Sequence, residues 1–112
     1  MQTTQIGNRG EQLAAEALAR QGYEIVEQNW KTKWAEVDIV ARKNIVMYFV
    51  EVKYRATDRQ GDGFDYITEQ KIIHMQRAAE LWVSMHNWNG EYELLGASVT
   101  GEGDDVDIRE IT

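Results

Sequence analysis

Three strand-like runs follow one another with almost no chain between them, and that spacing constrains the fold more than any other feature of the sequence. Residues 23–30 alternate weakly, 35–42 read "AEVDIVAR", and 45–55 read "IVMYFVEVKYR", the strongest run, dense in Val, Ile, Tyr and Phe. Only "KTK" and "RKN" stand at the joints. Loops of that length reverse a chain but cannot carry it back for a parallel crossover, so the three runs are expected to form an antiparallel meander.

Helical patterns flank the meander. Ile6, Gly10, Leu13, Ala14, Ala17 and Leu18 recur at helical spacing over 4–20, with Gly22 as a stop signal. Ile72, Met75, Ala79, Trp82 and Val83 make a second stripe over 69–87, expected to end at Asn89-Gly90. This second helix is long enough for a right-handed crossover, which sets a strand over 91–100 parallel to the one over 45–55. Residues 56–67 read as a loop, "GEGDD" as a turn, and 106–111 as a short last strand. The expectation is an α/β fold in the order αβββαβ plus a terminal strand, with a mixed central sheet flanked by helices. A length of 112 residues supports one domain, 1–112, around one core.

Cysteine is absent, which excludes disulfides and thiolate metal sites and suits a reducing compartment. No run of about 20 apolar residues occurs, so a cytoplasmic protein with no membrane partner is expected. The net charge of −7 is unusual for a protein that grips phosphates. It is unevenly spread: residues 91–112 hold seven acids against Arg109 alone, whereas bases outnumber acids nine to seven over 31–77. An acidic segment of this kind is ordinarily a solvated face.

Within "FVEVKYR", alternation puts Phe49, Glu51, Lys53 and Arg55 on one face. In "AEVDIVA", Glu36 and Asp38 share a face, and hairpin arithmetic sets Asp38 opposite about position 50, beside Glu51. Glu-X-Lys alone on a strand is most often a solvated face. Two carboxylates brought together, however, raise one another's pKa unless a proton or cation lies between them. A hard divalent cation resolves the conflict, and Mg²⁺ suits one or two carboxylates with retained waters. The Val52 carbonyl offers a further ligand, and Lys53 could hold or deprotonate an attacking water.

Other residues extend the pattern. Glu11 shares a helix face with Ala14 and Leu18, where it either reaches water at the edge of the stripe or helps to bind a cation. Lys71 lies in the first turn of the second helix, where the macrodipole disfavours a cation unless carboxylates or a phosphate face it. The "NWKTKW" turn interleaves Trp30 and Trp34 with Lys31 and Lys33, either as base-stacking and phosphate-binding groups or as core rings with solvated lysines. His74 and His86 lack a third ligand nearby and read as structural.

Taken together, "GNRGEQLAAEALARQGYEIVEQNW", "AEVDIVA", "YFVEVKYR" and "ITEQK" resemble the YraN-type family of small bacterial proteins over residues 7–82. Ala35 stands where that family usually has glycine. The resemblance implies a restriction-endonuclease-like fold with the metal-dependent phosphodiesterase core shared by restriction enzymes and archaeal Holliday-junction resolvases. It places the helix-one glutamate at Glu11, the paired acids at Glu36 and Asp38, the Glu-X-Lys element at Glu51 and Lys53, and the helix-two lysine at Lys71, with Gln70 as a polar neighbour. The expected function is a nuclease using Mg²⁺ or Mn²⁺, held by Asp38, Glu51 and Val52. Catalysis would involve Asp38, Glu51, Lys53 and Glu11, and phosphate contacts Lys31, Lys33, Arg55 and Lys71. DNA, including branched DNA, is favoured over RNA, and a homodimer follows from the resolvase analogy. The alternatives are a non-catalytic nucleic-acid-binding module and a protein-interaction domain.

Overall fold

The meander forms as its short joints demand. In a computed structural model that describes residues 3–56, 64–101 and 105–111, with side chains from residue 9 onward, the elements are α1 (Thr3–Arg20), β1 (Glu24–Lys31), β2 (Glu36–Lys43), β3 (Val46–Arg55), α2 (Glu69–His86), β4 (Glu91–Thr100) and β5 (Asp105–Glu110). The Ile6 side chain, residues 57–63 of the expected loop and residues 102–104 of the "GEGDD" turn lie outside the described residues. β2 and β3 are joined through Lys43↔Val46, with Asn44 at φ 58 in the left-handed region that Asn tolerates. The β1–β2 joint is built on Thr32, whose N–H donates to the Ala35 carbonyl at 2.8 Å. The Thr32 Oγ1 accepts the N–H groups of Trp34 and Ala35, both at 3.1 Å.

Sheet order is β1-β2-β3-β4-β5, antiparallel except for β3 and β4, which run parallel from Val46↔Glu91 to Arg55↔Thr100. α2 is the crossover that makes this parallel pair possible. It begins at Thr68, whose hydroxyl accepts the Lys71 N–H at 3.1 Å, and closes at Asn87, which adopts φ 56. The closure comes before the expected Asn89-Gly90 because Asn87 takes the left-handed cap position itself. The Trp88 N–H then donates to the Val83 carbonyl at 3.1 Å. Gly22, at φ 96, ends α1 as expected. The architecture is a mixed α/β fold consistent with a restriction-endonuclease-like core. Among the described residues no helix is long and apolar enough to cross a membrane.

Each helix covers one face of the sheet. Ala14, Ala15 and Leu18 of α1 pack on Ile39, Ala41, Val50, Leu95, Ala97 and Val99. On the other face Met75, Ala78, Ala79 and Trp82 of α2 meet Trp30, Val37, Val40, Met47, Phe49 and Leu94. Phe49 anchors that layer, edge-on to Trp82 and Tyr92 with centroids 5.5 and 5.7 Å away.

The small residues of α1 bring it close to the sheet, most tightly at Gly10, where an added Cβ would lie 3.0 Å from the Tyr54 Cβ. That approach carries the next residue, Glu11, to the end of the sheet. Gly10→Val pushes α1 away from β3, at a cost of about 1–3 kcal/mol from overpacking. A lowered urea midpoint at unchanged slope is the expected result.

Candidate active site

The ladder between β2 and β3 runs from Lys43↔Val46 to Ile39↔Val50 and stops there. β2 nevertheless continues beside β1 to Glu36, and β3 beside β4 to Arg55. The two central strands therefore part at Asp38. Beyond the last ladder pair, the Val52 N–H donates to Oδ2 of Asp38 at 2.8 Å, a side chain standing in for a strand.

A second irregularity sits alongside. Asn29 of β1, at φ 55, falls between the pairs Gln28↔Ile39 and Trp30↔Val37. In an unbroken strand residues 37 and 39 share a face. Here Val37 and Trp30 pack in the α2 layer while Ile39 packs in the α1 layer. The alternation resets at Asp38.

The parted strands open a cleft of about 760 Å³. Glu11 from α1 and Lys71 from α2 both line it, although their helices lie on opposite faces of the sheet. They meet because the sheet is open at this end. Lys71 Nζ is 3.2 Å from Oε2 of Glu51, and the Tyr66 hydroxyl donates to the Glu51 carbonyl at 3.1 Å. The Oε1 of Glu11 is buried with no hydrogen-bond partner among the described residues.

Negative charge is crowded here. Burial above all, with Glu51, Glu11 and Glu36 adding to it, pushes the Asp38 carboxyl up to about 7 against the opposing Val52 N–H. Burial also raises Glu11, with Glu36 and Glu51 adding and Asn29 and Lys31 opposing. Tyr66 is raised by burial first and then by Glu51 and Asp38, so it stays a proton donor. An orphaned carboxylate oxygen beside an Asp held near neutrality suits a hard cation with oxygen ligands. Among the described residues no three His, Cys, Asp or Glu side chains are grouped to enclose a metal by themselves. Asp38 and Glu51, two carboxylates lining one cleft, suit an ion of the Mg²⁺ kind, which takes one or two carboxylates and keeps its waters.

Of the residues singled out in the sequence, Glu11, Glu36, Asp38, Glu51, Val52, Lys31, Lys33 and Lys71 line this cleft. Lys53 is exposed and Arg55 half-buried, both outside the lining. Gln70 is also outside, bonded to Nε2 of His74 at 3.0 Å. His74 lines the cleft, whereas His86 is structural, bonded to the Trp82 carbonyl at 2.9 Å and stacked on its ring at 4.0 Å. The two tryptophans divide: Trp30 is 7% exposed in the core and Trp34 is 79% exposed. Asn29, Tyr66 and Arg77 were missed. The aromatic pair Phe64 and Tyr66 in an otherwise polar loop was the available signal for Tyr66.

The raised Asp38 fixes the sign of a pH effect. Between its ordinary value of 3.8 and about 7, the folded chain holds a proton that the unfolded chain has released. This group's contribution to stability therefore falls as pH rises through that window and is flat above it. Asp38→Asn keeps an acceptor for Val52 and removes the titration. It is expected to raise the melting temperature by about 5 °C at pH 8 and to leave it unchanged near pH 4, in thermal scans across pH.

The chain resembles known proteins along nearly its whole length. The model of Uncharacterised protein family UPF0102 matches residues 10–108. A UPF0102 protein of Cytophaga hutchinsonii is 36% identical over 112 residues, covering 100% of this chain and 99% of its own. One from Fusobacterium nucleatum is 33% identical over 107 residues, 96% of this chain and 89% of its own. Another, from Caldicellulosiruptor saccharolyticus, is 41% identical over 83 residues, 74% of this chain and 70% of its own. With a family model matched over residues 10–108 and relatives of this identity and extent, the chain belongs to the UPF0102 family.

Proposed function

We propose that this protein is a metal-dependent nuclease of the restriction-endonuclease-like kind, hydrolysing phosphodiester bonds in nucleic acid, DNA in preference to RNA. One observation carries the reading: a half-buried Asp38 grouped with Glu11, Glu36 and Glu51 in a cleft that also presents Lys31, Lys33, Lys71 and Arg77. Carboxylates below and cations around them match what a phosphodiester and a divalent ion require together.

Asp38 and Glu51, with the Val52 carbonyl, would hold Mg²⁺ or Mn²⁺, and Glu11 supports them with its unpartnered oxygen. Such an ion, when bound, supplies Lewis acidity towards a phosphate oxygen and a water of lowered pKa. Lys71 neutralises Glu51 across 3.2 Å and is placed to turn to a phosphate. Lys53, exposed outside the lining, would have to turn in from the strand of Glu51 to assist the attacking water, and Arg55, also outside it, would reach only the flanking backbone; Lys31 and Lys33 contact the backbone of the substrate at the cleft. Glu36 and Gln70 flank the site. The position of Lys53 outside the cleft lining favours a second reading, a binding module that does not cut.

The test is cleavage of labelled duplex, single-stranded, flap and four-way-junction DNA and of RNA with Mg²⁺ or Mn²⁺. Glu51→Gln is expected to lower the rate by about 10²-fold or more with the fold intact. Cutting by that variant at the wild-type rate would refute the assignment. Lys53→Ala is expected to lose about 10²-fold in turnover while keeping affinity; no loss would transfer the role to Lys71. Independently of activity, millimolar Mg²⁺ is expected to raise the melting temperature at pH 8 in the wild type and not in Asp38→Asn.

A further inference from the structure

A tryptophan that is 79% exposed on an ordered turn is a large apolar surface left in water. Trp34 is not loosely held: its N–H and that of Ala35 are both bonded to Thr32 Oγ1, and the Thr32 N–H closes the turn on the Ala35 carbonyl. Nor is it buried by neighbours, since Lys33 Nζ lies 5.6 Å above the ring and leaves most of it to solvent. The turn lines the mouth of the cleft, flanked by the exposed bases Lys31 and Lys33, with Arg77 contributed by α2.

From Trp34 to Asp38 is four residues, at most about 14 Å of chain. A flat aromatic face bordered by cations, that close to the carboxylates, matches a nucleotide whose base is free to stack and whose phosphates carry charge. Bases in a duplex already stack on one another, and prising one out costs a few kcal/mol. An unpaired strand offers its base faces without that cost.

Resting on the nuclease reading of the cleft, we propose that Trp34 is a stacking platform for an unpaired nucleotide. On this assignment the ligand is a single-stranded stretch of nucleic acid, its base on Trp34, its phosphates on Lys31 and Lys33, and its backbone continuing to the carboxylates within a few nucleotides. Duplex without an unpaired segment is a poor ligand.

The test is titration of the full chain in EDTA, so that nothing is cut, with oligo-dT, oligo-dU, oligo-rU, an abasic strand of the same length and a blunt duplex. Trp34 is the most exposed of the four tryptophans, so quenching of intrinsic fluorescence on adding oligo-dT is an added signal. Trp34→Ala is expected to weaken oligo-dT binding about tenfold, while Trp34→Phe keeps most of the affinity. The abasic strand should bind as weakly to the wild type as oligo-dT binds to the alanine variant. Comparison of oligo-dU with oligo-rU, which differ only at the sugar, decides which sugar is preferred.

Unchanged oligo-dT affinity in Trp34→Ala would overturn the assignment, as would equal losses for single strand and duplex or equal binding of the abasic strand. The two readings fail separately. Metal-dependent cutting with a silent Trp34→Ala leaves the nuclease and removes the platform; Trp34-dependent binding without cutting by the wild type leaves the platform and removes the nuclease. Absence of binding to every ligand removes the platform outright.

Discussion

One hydrogen bond governs this molecule: the Val52 N–H to Oδ2 of Asp38. It lies where β2 and β3 separate, and it lets them do so without leaving a backbone donor unsatisfied in a half-buried place. Had β2 and β3 stayed paired to their ends, the helices would remain on opposite sides of a closed sheet. The fork joins the two layers, and Glu11 and Lys71 can then meet the same space. Burial of Asp38, its raised pKa and the crowding with Glu51 are consequences of that single departure from regular pairing.

Much of this was legible in the sequence because short joints leave a chain few choices. "KTK" and "RKN" dictated the meander, and the crossover length dictated the parallel pair of β3 and β4. Hairpin arithmetic put Asp38 near position 50; the observed pair Ile39↔Val50 places it one step away, beside Glu51. The apolar stripe set Glu11 on the sheet-facing side of its helix, and the residue lines the cleft. Other features depended on contacts that no local pattern encodes. Asn29 resets the alternation of its strand through one left-handed residue, so period-two reasoning could not assign Trp30 to the core and leave Trp34 outside. Tyr66 reaches Glu51 from a segment read only as a loop, and Lys53 leaves the cleft despite sharing a strand with Glu51.

Net charge is a sum and carries no geometry. Glu91 and Glu93 pair with Val46 and Tyr48 at the end of β3 remote from Glu51. Burial first, then Tyr23, and after them Glu93, Glu110 and Glu91 raise the pKa of Tyr48 there. Lysines gather instead around the opening where β2 and β3 part. An anionic polymer approaching such a molecule would be turned so that the cleft leads, an orienting effect that a uniformly basic surface lacks.

The forked strands also give the protein an internal indicator. Val52 has no ionisable side chain, yet its amide proton is shared with a carboxylate only 2.8 Å away. Protonation of Asp38, or its capture by a cation, must alter the electron density at that amide. A single backbone resonance in a nuclear magnetic resonance spectrum therefore reports the charge state of the cleft floor, with no label, ligand or substitution placed in the site.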